Sequence, residues 1–157
     1  LFPRAEVLPP EGLYAHLPGA DVVVGAVLVP GAKAPLLISK KQMETMKPGA
    51  VMVDISIDQG GITEASRPTS IGEPCYMEGH VLMCCVPNIP GTVPDTSTKL
   101  LTEATLPYII RLAEKGEDVL KDDTAFRTAL NVRKGKCTSR SVAEARGIPY
   151  TPVDEVL

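Results

Sequence analysis

Asp58 stands three residues beyond the apolar run of residues 50–55 (AVMVDI) and is followed by Gln59, Gly60 and Gly61. A carboxylate so placed reads in two ways, as a charge facing a bound ligand or as a turn residue bonding its own backbone. Asp54, inside the run itself, is expected to be a strand-end residue that accepts hydrogen bonds. The pair Gly60-Gly61 suits a tight turn with positive φ and permits close approach of a ligand to the backbone. Arg67, before Pro68, could present its planar fork to a phosphate or carboxylate, or simply be solvated, and Lys33 carries the same ambiguity. Asn88, between Pro87 and Ile89, offers an amide to a ribose or carboxamide, or serves as a turn residue. Cys84 and Cys85, flanked by Leu82, Met83 and Val86, read as small buried hydrophobes rather than nucleophiles. His80, at the start of that strand, has no evident partner.

These residues need elements to hold them. Residues 21–27 (DVVVGAV) are β-branched and unbroken by polar groups, as in a strand covered on both faces of a parallel sheet. Ser39 stands at an N-cap position, with Met43 and Met46 on one helical face, and Pro48-Gly49 closes that helix. Residues 50–55 form the next strand, so strand, helix and strand make a βαβ unit. A long polar loop then runs over residues 56–79, and residues 80–86 (HVLMCCV) form a third strand. Ligands bind at the carboxyl ends of parallel strands. The loops at 28–35, 56–67 and 86–95 should therefore open on one edge.

Beyond residue 95 the chain turns helical and charged. Thr96 or Ser97 can cap a helix that reaches Lys115, with Pro107 bending it and Gly116 ending it. Its stripe Leu100, Leu101, Ala104, Tyr108, Ile109 and Leu112 has core-facing periodicity. Shorter helices are expected over 117–130 and 140–146, a weak strand over 132–138 and a terminal turn over 153–157. The first 20 residues, rich in proline, read as irregular with one short helix at 10–16.

The whole sequence of 157 residues carries 16 Lys and Arg against 19 Asp and Glu, a net charge of −3 that argues against gripping a nucleic-acid backbone. No apolar run reaches the length of a membrane-spanning helix, and nothing at the start resembles a signal peptide. The four cysteines, 75, 84, 85 and 137, contain no C-x-x-C and suggest reduced thiols in a cytoplasmic setting rather than a disulfide scaffold or a zinc site. The sequence has no G-x-G-x-x-G, so a dinucleotide fold would need its pyrophosphate turn upstream of Leu1, and the missing initiator Met agrees with a fragment.

Taken together, several segments resemble the alanine dehydrogenase family: GAVLVPGAKAP at 25–35, MKPGA at 46–50, VDISIDQGG at 53–61, SRPT at 66–69, NIPG at 88–91, VP at 93–94, TST at 96–98 and ATLPY at 104–108. The resemblance runs in order over nearly everything after residue 20. It implies an α/β fold, the C-terminal part of a Rossmann-like parallel sheet over residues 1–94, followed over 95–157 by helices that close a second, catalytic domain. It also implies an NAD-dependent enzyme that interconverts L-alanine with pyruvate and ammonia, a homo-oligomer (a hexamer at full length) with no membrane partner and no metal. Asp58 matches the family's active-site Asp. Val27, Leu28, Ile55, Ser56, Ile57, Asp58, Arg67, Val86, Pro87, Asn88 and Ile89 match its NAD-contacting positions. Pro87 and Ile89 replace the Ala and Met usual there, while the family's substrate-binding Arg and Lys and its catalytic His belong to an upstream half. The related NAD(H)-binding subunit of proton-translocating transhydrogenase is an alternative, as is a truncated, non-catalytic remnant. The transhydrogenase subunit carries Ala-Glu where this chain has Ile57-Asp58, which favours the dehydrogenase.

Overall fold

A computed structural model describes residues 5–157, so Pro3, at the head of the proline-rich stretch, lies outside them. The chain divides into two compact units, Leu1–Leu28 with Ala34–Ile89, and Val29–Lys33 with Pro90–Leu157.

In the first unit a short 3-10 turn leads into α1 (Leu13–His16), and β1 (Val22–Gly25) follows. The capping box expected at Ser39 is complete: its hydroxyl accepts from the Gln42 amide at 3.2 Å, and its amide donates to Gln42 Oε1 at 2.7 Å. Such caps contribute about 1 kcal/mol, which matters for a helix as short as α2 (Lys40–Met43). Met43 and Met46 are both buried, as their spacing indicated. Next come β2 (Val51–Asp54), a 3-10 helix over Ile55–Gln59, β3 (Cys75–Glu78) and β4 (Val81–Cys84).

The sheet order is β1-β2-β4-β3. β1, β2 and β4 run parallel, with Gly25 opposite Asp54 and Val53 opposite Cys84, and β3 is antiparallel to β4. This is the expected α/β architecture with a parallel sheet. Three details differ. Residues 75–78 are not loop: they turn at Gly79 and pair back on β4. His80 is a turn residue whose Nε2 bonds the Met46 carbonyl at 2.8 Å. Nor is β1 covered on both faces, because Val22 and Val24 are 58% and 56% exposed. One apolar cluster, centred on Met52, Met83, Ile38 and Ile62, packs on one face only, and β1 lies at the sheet edge.

The antiparallel pairing also overturns the reading of Cys84 as a free thiol. Cys75 lies directly opposite it, Cα to Cα 4.3 Å, and the two sulfurs are bonded. Cys85 and Cys137 are buried free thiols.

The second unit begins with α3 (Pro94–Lys115). Val93 occupies the N-cap with Pro94 at the first helical position, so neither Thr96 nor Ser97 caps it; Ser97 Oγ instead bonds the Pro90 carbonyl at 2.8 Å. Pro107 sits inside α3 without ending it. The apolar stripe is not core: Leu101 and Ile109 are 66% and 59% exposed, and α3 buries no residue. Periodicity identifies an apolar face but not whether a partner covers it. The short α4 (Val119–Asp122) and α5 (Thr124–Ala129) follow, then the hairpin of β5 (Val132–Arg133) and β6 (Lys136–Cys137), then α6 (Arg140–Arg146) ended by Gly147 in the left-handed region. Asp123 caps α5 through the Ala125 amide at 2.8 Å and takes Arg111 at 2.7 Å. Val119, Leu120, Cys137, Ala143 and Val156 are buried.

Candidate functional site

Three parallel strands deliver three loops to one edge, and hydrogen bonds lock the first two together. Ser56 Oγ donates to the Val27 carbonyl at 2.8 Å and accepts from the Val27 amide at 2.7 Å. The loop after β1 is thereby bound to the 3-10 helix after β2.

Asp54 holds the base of that helix. It is fully buried, and its carboxylate accepts from the Ser56 amide at 3.0 Å, the Ile62 amide at 2.8 Å and Ser66 Oγ at 2.5 Å. A buried carboxylate is tolerable only with its lone pairs so occupied. The strand-end role expected of Asp54 is met, and Asp54 takes the Asx turn that Asp58 was also offered. The chain closes around it through Gly60 and Gly61, at φ 105° and 80°. A Cβ on Gly61 would stand 2.8 Å from Asp54 Oδ2 and 2.5 Å from Ser66 Cβ, so close approach excludes a side chain there.

The sequence-predicted site residues separate by exposure. Ile57 is core and Ser56 is spent on Val27, so these two offer a ligand only backbone. Val27 and Val86 are half-buried. Leu28, Ile55, Asp58, Pro87, Asn88 and Ile89 are exposed. The Asp58 carboxylate takes no hydrogen bond from the described residues and faces solvent. The edge therefore presents apolar surface, one free carboxylate and one amide side chain, suited to a flat, partly apolar ligand with a cationic neighbour.

Arg67 is held by the hairpin strand β3. Its guanidinium lies 3.7 Å from the Tyr76 ring centroid, and its amide donates to the Tyr76 hydroxyl at 3.0 Å. That hydroxyl donates in turn to the Ala65 carbonyl at 2.6 Å. The Thr69 amide donates to the Cys85 carbonyl at 3.0 Å, which ties this segment to the exit of β4. Burial pushes the Tyr76 phenol up to about 12, against a downward pull from the Arg67 amide; the Cys85 thiol beside it adds to the rise. Burial likewise raises the Cys85 thiol. Tyr76 went unnoticed in the sequence; the signal was its place in CYME, four residues between Pro74 and the turn at Gly79.

Residues 7–140 match a family model described as "Alanine dehydrogenase/PNT, C-terminal domain". The chain is 52% identical over 132 residues to an alanine dehydrogenase of Halomonas elongata, covering 83% of this chain and 36% of that protein. It is 48% identical over 139 residues to one of Mycolicibacterium smegmatis, covering 88% and 38%. A solved L-alanine dehydrogenase superposes with a TM-score of 0.73 at 38% identity over 89% of this chain and 39% of the other. A transhydrogenase from Sinorhizobium meliloti shares the fold, with a TM-score of 0.62 at 24% identity over 70% of this chain and 32% of the other. The chain thus spans less than half the length of the relatives it matches. With most of its residues inside the family model and about half of them identical to named members, the chain belongs to the alanine dehydrogenase/PNT C-terminal domain family.

Proposed function

We propose that this chain is part of an NAD-dependent alanine dehydrogenase, which reversibly converts L-alanine to pyruvate and ammonia. Residues 1–94 supply part of the NAD-binding domain, and residues 95–157 belong to the catalytic domain. The proposal extends to a cytoplasmic homo-oligomer. Among the described residues no helix is long and apolar enough to cross a membrane.

One observation carries the reading. The Ser56–Val27 bridge and the buried Ile57 leave Asp58 as an exposed, unpaired carboxylate at the carboxyl edge of the sheet. The same edge fits one end of a dinucleotide. Leu28, Ile55 and Ile89 offer exposed apolar surface to a flat ring, and Asn88 offers an amide. The pyrophosphate needs a glycine turn that residues 1–157 do not contain, so its grip must come from elsewhere in the subunit. When bound, NAD supplies the hydride acceptor. This chain's residues orient and polarise. Val27, Leu28, the segment 55–58, Arg67 and the segment 86–89 hold the cofactor, and Asp58 stabilises positive charge developing on the substrate nitrogen.

Asp58→Asn in the full-length subunit tests this. NAD affinity should stay within about threefold while turnover falls by 10²–10³, roughly 3–4 kcal/mol for one preorganised charge. Turnover within about threefold of the parent, under about 1 kcal/mol, would leave Asp58 a surface turn residue.

A further inference from the structure

We propose that Tyr76 is a positioning residue for Arg67, and that the Cys75–Cys84 disulfide sets where Tyr76 stands. The inference rests on the reading of Arg67 as an NAD contact. Arg67 is exposed and its side chain has two ways to stay in one place, the ring beneath it and its own backbone. Tyr76 supplies both. Its ring lies 3.7 Å under the guanidinium, and its hydroxyl accepts from the Arg67 amide at 3.0 Å while donating to the Ala65 carbonyl at 2.6 Å. One side chain thus fixes the charge and the turn that carries it.

Tyr76 in turn is only as well placed as β3. That strand is four residues long, lies at the sheet edge and pairs with β4 alone. Short edge strands are held weakly by their ladder and open readily. The residue next to Tyr76 is Cys75, covalently joined to Cys84 directly across the pair. Side chains alternate along a strand. The disulfide therefore lies on one face of the hairpin, and Tyr76 on the other, where its hydroxyl is 3.8 Å from the Cys85 sulfur. By the same alternation the Cys85 thiol is directed away from the bonded pair, so it is not placed to exchange with it.

The clasp is reversible. A dithiol reductant delivers two electrons and two protons to the S–S bond, leaves thiols at Cys75 and Cys84, and is itself oxidised to a disulfide. In reducing compartments disulfides are characteristically transient and redox-sensing. Reduction would loosen β3, and with it Tyr76 and Arg67, without touching Asp54, Ser56 or Asp58.

The test uses the full-length protein equilibrated with oxidised glutathione or with a dithiol. Reduction should raise the Kd for NAD about three- to tenfold, the scale of losing one cation–π contact and the order it imposes, with kcat little changed. Amide exchange over residues 65–69 should accelerate without any NAD present. Cys75→Ser with Cys84→Ser should reproduce both effects and ignore the reductant. Tyr76→Leu should match the reduced protein, and Tyr76→Phe, which keeps the ring, should recover part of the affinity. Alkylation of both cysteines after oxidised glutathione, or unchanged exchange at 65–69 on reduction, overturns the proposal at the clasp. Wild-type NAD affinity in Arg67→Ala overturns it through the reading on which it rests.

Discussion

Ser56 Oγ closes a two-bond ring with the backbone of Val27, 29 residues earlier in the chain, accepting at 2.7 Å and donating at 2.8 Å. The relationship converts two adjacent strand ends into one rigid ledge, and Asp58 stands on it two residues further along.

Ser56→Ala should therefore uncouple the ledge while leaving the sheet intact. Two hydrogen bonds at about 0.5–1.5 kcal/mol each set the loss at roughly 1–3 kcal/mol. The Val27 amide should exchange faster and NAD affinity should fall. Exchange at Val27 equal to that of the parent would mean that the ring closes nothing.

Asp54 should be the more costly residue. Asp54→Ala strands the amides of Ser56 and Ile62 in the interior and leaves the Ser66 hydroxyl only its Thr63 partner. An unsatisfied buried donor costs about 1–3 kcal/mol, so roughly 3 kcal/mol or more should be lost in urea unfolding. Asp54→Asn keeps one acceptor oxygen and should fall between the two. A midpoint shift for the alanine variant worth under about 1 kcal/mol would show that water enters and replaces the carboxylate.

How much of this was legible beforehand follows the range of the interactions. The Ser39 cap, the buried Met43 and Met46, the positive φ of Gly60 and Gly61 and the stop at Gly147 all answer to neighbours within a few residues, and the sequence carried them. Asp54 was readable as a hydrogen-bonding strand end, but not its three partners, which arrive from up to 12 residues away. β3 was missed because four residues with little β-branching become a strand only when β4 is beside them. The Cys75–Cys84 bond and the Tyr76–Arg67 stack depend on that same pairing, so they were lost with it. The stripe of α3 shows the converse: its period was plain, and its exposure was not a local property.

Gly25 ends β1 against the loop that Asp54 organises. A Cβ there would collide with Ile62 Cδ1, stand 2.8 Å from Ile62 Cγ1 and lie 3.5 Å from Asp54 Oδ1. Gly25→Ala should cost about 1–3 kcal/mol by overpacking. In an Ile62→Ala background the clash is gone and the cost should shrink, giving a coupling of about 0.5–3 kcal/mol in a double-mutant cycle. Strictly additive losses would place the strain somewhere other than Ile62.

Tyr76 should leave a signature at high pH. Its phenol is pushed up to about 12 from an ordinary value of 10.0, first by burial, with the Arg67 amide opposing and the Cys85 thiol assisting. A group that holds its proton more tightly when folded contributes stability that is complete below the unfolded pKa and lost as pH rises through the folded one. Between about pH 10 and about pH 12 the unfolded chain has released this proton and the folded chain has not, so stability should fall with pH across that window. Groups that titrate alike in the parent and in Tyr76→Phe cancel when the two are compared. The parent should lose urea stability more steeply than Tyr76→Phe above about pH 10, and its absorbance step at 295 nm near pH 12 should be missing from the variant. The phenylalanine protein should start less stable at about pH 9, having lost the hydroxyl's bonds to Arg67 and Ala65, and the gap should narrow as pH climbs. Parallel stability curves for the two proteins through this window would show that the phenol is as free to ionise in the folded state as in the unfolded one, and that the hairpin does not enclose it.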